Sequence, residues 1–117
     1  MKLVNDLYSL SNQTEEVLYL LCLDTQNKTT GTFELSRGTV NTSLVSPRVI
    51  FMKAVLCNAV SIIMVHNHPS GDPKPSKKDT DTTDLIKLNA ELMGINLIDH
   101  IIVGDSSYYS MKGDNLL

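Results

Sequence analysis

Two of the three histidines in the chain, His66 and His68, stand one residue apart at the head of the stretch HNHPSGDPKPSKKD, residues 66–79. In an extended segment residues i and i+2 point to the same face, about 6–7 Å apart, so both imidazoles can converge on one ion. Pro69 supports this, because the residue before a proline is pushed toward extended geometry. A third ligand has to come from another element, and Asp79 is placed to supply it. It falls in the first turn of a predicted helix with Ser76 as N-cap, seven residues before Ile86 and near the same line along the helix. Two neutral imidazoles and one carboxylate leave a fourth coordination position open, as a catalytic zinc site does and a closed structural one does not.

A metal-dependent hydrolase also needs a base for the attacking water. The chain has four glutamates: Glu15, Glu16, Glu34 and Glu91. The first two begin a predicted strand and Glu91 falls on the polar side of the second predicted helix. Glu34, at the end of the second predicted strand, is the best placed of the four. Each piece also has a plain structural explanation. Ser76-x-x-Asp79 is close to a capping box, and histidines at a strand end can serve as loop hydrogen-bonders. His100 shares a strand face with Ile98 and Ile102, which fits a satisfied core histidine; the other reading is a hydrogen-bond partner to a metal ligand.

The elements that must hold these residues follow from periodicity and turn chemistry. Residues 16–24 (EVLYLLCLD) are apolar on both faces and read as an interior strand. A turn at 24–28 (DTQNK) leads to a returning strand at 29–35 (TTGTFEL), and a further extended piece spans 39–45. Ser46 and Pro47 open a helix over 47–58, apolar nearly all round and therefore expected to be mostly buried. Residues 60–66 read as a central strand that delivers the histidines. The second helix runs over 76–93, with Leu85, Leu88 and Leu92 beside Ile86 and Met93 as its apolar stripe and Gly94 as a left-handed C-cap. Strands at 96–103 and 107–111 close an α/β layered domain with a mixed sheet.

At 117 residues, with 42% hydrophobic and 20% charged side chains, the chain is one domain with enough material for a core. No run has the length of a membrane span, and the first residues lack the pattern of a signal peptide, so the cytoplasm is expected. Cys22 and Cys57 form no C-x-x-C pair and read as free thiols. Thirteen acids against ten bases give a net charge of −3, which offers no general attraction to nucleic acid, although Lys74, Lys77 and Lys78 cluster in the loop.

Glu34, His66, His68, Ser76 and Asp79 together resemble the JAMM signature of the JAB/MPN metalloprotease superfamily: an upstream Glu, H-x-H, seven residues, Ser, two residues, Asp. The wording from GTVNTSLVSPRVIF through HNHPSGDPKPS to LIDHIIVG is similar to the RadC-like branch of that superfamily, over roughly residues 12–115. The resemblance implies a cytidine-deaminase-like α/β/α fold with one zinc ion. His66, His68 and Asp79 would bind the ion, Glu34 would be the general base, and Ser76 would stabilise an oxyanion. The implied activity is zinc-dependent peptidase or isopeptidase chemistry, with Glu-activated zinc-bound water attacking an amide carbonyl of a peptide or protein substrate. The competing expectation is a non-enzymatic module that serves DNA repair or recombination through partners. Longer RadC-like proteins carry an N-terminal segment of helix-hairpin-helix character, and this chain reads as the JAMM domain alone.

Overall fold

The computed structural model describes residues 15–38, 45–114 and 116–117. The described elements run in the order β1 (Glu16–Leu23), β2 (Thr29–Gly38), α1 (Pro47–Leu56), β3 (Ser61–Asn67), α2 (Lys77–Met93), β4 (Asn96–Val103) and β5 (Tyr108–Ser110). Of the extended piece expected over 39–45, residues 39–44 lie outside the described residues and Val45 is not in a strand.

The strands form one sheet in the order β2-β1-β3-β4-β5. β1 is antiparallel to both β2 and β3, β3 and β4 are parallel, and β5 returns antiparallel to β4. The parallel pair is possible because α2 carries the chain back between its two strands, since a hairpin cannot join parallel neighbours. β3 is buried along its whole length, which explains why its centre, Ile62 to Val65, is apolar on both faces with no alternation.

Alternation along β1 divides the core in two. Leu18, Leu20 and Cys22 face one side, where Ile62 and Met64 of β3, Ile50, Phe51 and Ala54 of α1, and Ile86 and Ala90 of α2 complete one cluster. Val17, Leu21, Ile63, Val65 and Val103 form a second cluster on the opposite face. Each fully buried large aliphatic side chain contributes about 1.5–3 kcal/mol, so the first cluster is what fastens both helices to the sheet. The fold is thus mixed α/β, with both described helices on one face of a five-stranded mixed sheet.

Both helices depart from the burial expected of them. α1 buries only Ile50, Phe51 and Ala54, while Met52, Val55 and Leu56 are exposed. In α2 the expected stripe is turned outward: Leu85, Leu88 and Leu92 are exposed, and the line facing the sheet is Asp79, Thr82, Thr83, Ile86 and Ala90. Counting leucines located the wrong side because the sheet-facing side of α2 carries polar residues with partners. Gly94 closes the helix in the left-handed conformation at φ 69°, as expected. Cys22 is buried and Cys57 half-buried, both as free thiols; burial pushes the Cys22 thiol up to about 11. Among the described residues no helix is long and apolar enough to cross a membrane.

Candidate metal centre

The parity of β3 decides which way its histidine points. His66 is the Cα partner of Leu18 and lies on the helical face with Met64 and Ile62, so its ring is fully buried and directed at the start of α2. There Ser76 and Asp79 form a reciprocal capping box. The Asp79 N–H donates to Ser76 Oγ at 3.1 Å and the Ser76 N–H donates to Asp79 Oδ2 at 2.9 Å. The cap therefore orients the carboxylate, and the structural and metal-binding explanations of Asp79 describe one geometry. Asp79 is only 4% exposed.

His68 follows β3 and is held by the end of β4. Its N–H donates to the Val103 carbonyl at 2.9 Å, and its carbonyl accepts from the Gly71 N–H at 2.9 Å. Gly71 stands at φ +91° and its carbonyl accepts from the Asp105 N–H, so the HNHPSGDP loop is fastened to the Gly104-Asp105 turn.

The structure brings His66, His68 and Asp79 together. The two Nε2 atoms are 3.1 Å apart; Asp79 Oδ1 lies 3.5 Å from His66 Nε2 and Oδ2 lies 3.3 Å from His68 Nε2. A tetrahedron built on bonds of about 2.0–2.1 Å has edges of roughly 3.3 Å, so these separations suit a small tetrahedral ion.

Hydrogen bonding behind the rings fixes what they present. Thr83 Oγ1 donates to the Asp79 carbonyl at 2.7 Å, so it can only accept from His100 Nδ1, 2.6 Å away. Burial, reinforced by neighbouring His66, pushes the pKa of His100 down to about 3, which keeps that ring neutral. Its Nε2 is then bare and accepts from His66 Nδ1 at 2.7 Å. On the other side His68 Nδ1 donates to the Asp72 carbonyl at 3.0 Å. When both rings are neutral, as metal binding requires, these bonds leave the Nε2 atoms of His66 and His68 unprotonated, facing each other and a carboxylate. A cluster of acceptors alone calls for a cation, and these residues fit a metal ion. Burial raises the Asp79 pKa, but without a metal, protons on those same nitrogens would make His66 and His68 donors to Asp79, and such bonds outweigh burial, holding its carboxyl well below the usual range. The Asp79 hydrogen bond raises His68 in return.

The expectation for Glu34 needs correction. Glu34 is the partner of Tyr19, which packs on the far cluster, and its neighbours Phe33 and Leu35 both turn toward the helices. Glu34 therefore projects from the opposite face, where its Oε1 accepts from Arg37 Nε at 2.9 Å and Nη2 at 2.6 Å. The acid beside the histidines is Glu16. Its Oε1 is 3.9 Å from His66 Nε2 and 3.8 Å from His68 Nε2, and Glu16, His66 and His68 form a group able to hold a metal ion. Burial raises the Glu16 pKa, while the two histidines pull it down. The signal in the sequence was parity: Glu16 is in phase with Leu18, Leu20 and Cys22. Using it required knowing that β1 runs antiparallel beside β3.

Glu16, His68, Pro69, Ser70, Ser76, Lys78 and Asp79 line a cleft of roughly 380 Å³ at this point. A larger groove between α1 and α2, near Phe51, Met52 and Met93, offers no carboxylate, imidazole or thiol and is no site for the same chemistry.

Residues 2–116 match the family described as RadC-like JAB domain. The chain is 48% identical to a UPF0758 protein of Clostridium perfringens over 88% of its own length and 45% of the relative's. It is 47% identical to a UPF0758 protein of Clostridium botulinum over 94% and 47%, and 42% identical to one of Chlorobium luteolum over 92% and 48%. It thus spans about half the length of these curated relatives. With the H-x-H pair, the capped aspartate and the neighbouring glutamate gathered on one face of a mixed sheet, and a family match over nearly every residue, the chain belongs to the RadC-like JAB domains.

Proposed function

We propose that the domain is a zinc-dependent hydrolase of peptide or isopeptide bonds, with His66, His68 and Asp79 holding the ion and Glu16 acting as general base. The observation that carries this reading is the pair of bare Nε2 atoms facing Asp79, with Glu16 Oε1 nearly equidistant from both. When bound, the ion would supply the Lewis acidity that acidifies a water and polarises a carbonyl. Glu16 would take the proton of the attacking water at Oε1 and return it to the departing amine. Its partly buried position, which raises its pKa, suits a group that must both accept and release a proton. Ser76 Oγ accepts from the Asp79 N–H and keeps its own hydroxyl proton to donate toward a developing oxyanion in the cleft.

The cleft is near the lower end of the size of small-molecule pockets, about 300–1,000 Å³, which suits the residues flanking one scissile bond. Carboxylates at its floor and a net charge of −3 favour an amide substrate over a phosphodiester. Free Cys22 and Cys57 support the expected cytoplasmic setting. Burial of Val17, Leu21 and Val65 on the face away from the helices supports the third layer of an α/β/α arrangement.

The test is metal content together with hydrolysis of fluorogenic peptide and isopeptide substrates. Wild type should hold one zinc per chain and Asp79→Ala should lose it. Glu16→Gln should still hold one zinc per chain, bound more weakly for loss of a nearby negative charge, and lose turnover, while Glu34→Gln should retain both. A wild-type chain that takes up no metal, or a Glu16→Gln variant with undiminished turnover, would overturn the reading.

A further inference from the structure

The residue between the two histidines has its own hydrogen-bonding task. The β1–β3 ladder ends with the pair Leu18 and His66, so main-chain pairing stops two residues short of Glu16. Beyond that point the Asn67 side chain continues the ladder. Its Oδ1 accepts from the Val17 N–H at 2.6 Å, and its Nδ2 donates to the Glu15 carbonyl at 2.9 Å. These two bonds fall on the residues immediately before and after Glu16. Asn67 is 2% exposed, so the bond to Val17 is shielded from competing water, while the bond to exposed Glu15 is only partly so.

We infer that Asn67 is the positioning residue for Glu16: its amide clamps the backbone on both sides of the acid and holds the carboxylate over the two imidazoles. The chemistry selects an amide. Holding Glu16 requires one acceptor for an N–H and one donor for a carbonyl at a fixed spacing, and a primary carboxamide offers both. Asn67→Asp would lose the donor, and Asn67→Leu would leave the buried Val17 N–H without its acceptor and the Glu15 carbonyl without its donor. The parity of β3 then performs two functions with consecutive residues. His66 and His68 present nitrogen to the ion from one side, while Asn67 reaches the other way to fasten the neighbouring strand.

This inference rests on the metal-centre reading, and a double-mutant cycle separates the two. Zinc affinity is measured by competition with a chromophoric chelator for wild type, Asn67→Ala, Glu16→Gln and the double variant, alongside thermal unfolding of each metal-free protein. Visible spectra of the cobalt(II) forms report the surroundings of the ion independently. Asn67→Ala should weaken zinc binding about three- to tenfold and alter the cobalt spectrum in the presence of Glu16, and should add less than about twofold in the Glu16→Gln background. Equal losses in both backgrounds would show that Asn67 acts on the fold generally and would overturn the inference while leaving the metal centre intact. Absence of zinc binding by wild type would overturn both. If Asn67→Ala does not fold, Asn67→Ser enters the same cycle and is judged by the same outcomes.

Discussion

Thr83 and His100 show how few atoms decide what a ligand presents. Neither is a candidate ligand, yet the hydroxyl of one and the neutral ring of the other dictate which nitrogen of His66 is bare. Removing the hydroxyl should therefore reach the ion through two hydrogen bonds. Thr83→Val, nearly isosteric, is expected to weaken metal binding by about three- to tenfold, less than the roughly 10- to 100-fold of losing a partner bonded directly to a metal-binding histidine. Thr83→Ser should remain close to wild type. Chelator competition on the folded variants checks this, and a Thr83→Val protein with unchanged affinity would remove the relay from any role in metal binding.

At the scale of elements, the site is made where four chain segments converge: the start of β1, the end of β3, the first turn of α2, and β4 behind them. The loop that carries His68 depends on a close approach that only glycine permits. A Cβ at Gly104 would collide with the Gly71 carbonyl oxygen and meet Pro73 Cδ at 2.8 Å. Backbone cannot move aside as a flexible side chain can, so Gly104→Ala should cost about 1–3 kcal/mol and displace the loop. Chemical denaturation should register the lost stability, and metal affinity should fall with it. A variant as stable as wild type would show that the turn and loop separate at little cost.

For the whole molecule, the clearest consequence of the buried polar cluster is its response to acid. His100 is held down to about 3, so between roughly pH 3 and pH 6.5 the unfolded chain binds a proton that the native chain does not, and Asp79, held well below its ordinary range, adds to this only below about pH 4. Stability of the metal-free protein should therefore fall as pH is lowered through that window. His68, raised by Asp79, works the other way: its contribution is present below about pH 6.5 and is lost as pH rises through its folded value. Melting temperatures in chelator should therefore decline from near-neutral pH toward pH 4, with a shallower decline on the alkaline side. A flat profile from pH 7 to pH 4 would mean that the cluster does not carry these protonation states.

How much was legible in the sequence varied with the range of the interaction. Local rules located β1, β3, α2 and β4 and the Gly94 cap, because apolar runs, N-caps and turn residues act within a few positions of themselves. The spacing of His66, His68, Ser76 and Asp79 was equally local, since one strand end, one loop and one helix start contain all four. The leucines of α2 misled because the buried side of that helix is set by contacts with His100 and the sheet, not by its own composition. Glu16 and Glu34 separate these cases most clearly. Both are glutamates on neighbouring strands, and the sequence alone favoured Glu34. Only the antiparallel register of β1 against β3 places Glu16 beside His66, and the outward turn of Glu34 toward Arg37 follows from the β2 register. The ligand chemistry was thus written in adjacent residues, while the identity of the acid that joins it was decided by strand pairing across some fifty residues of chain, which no local pattern encodes.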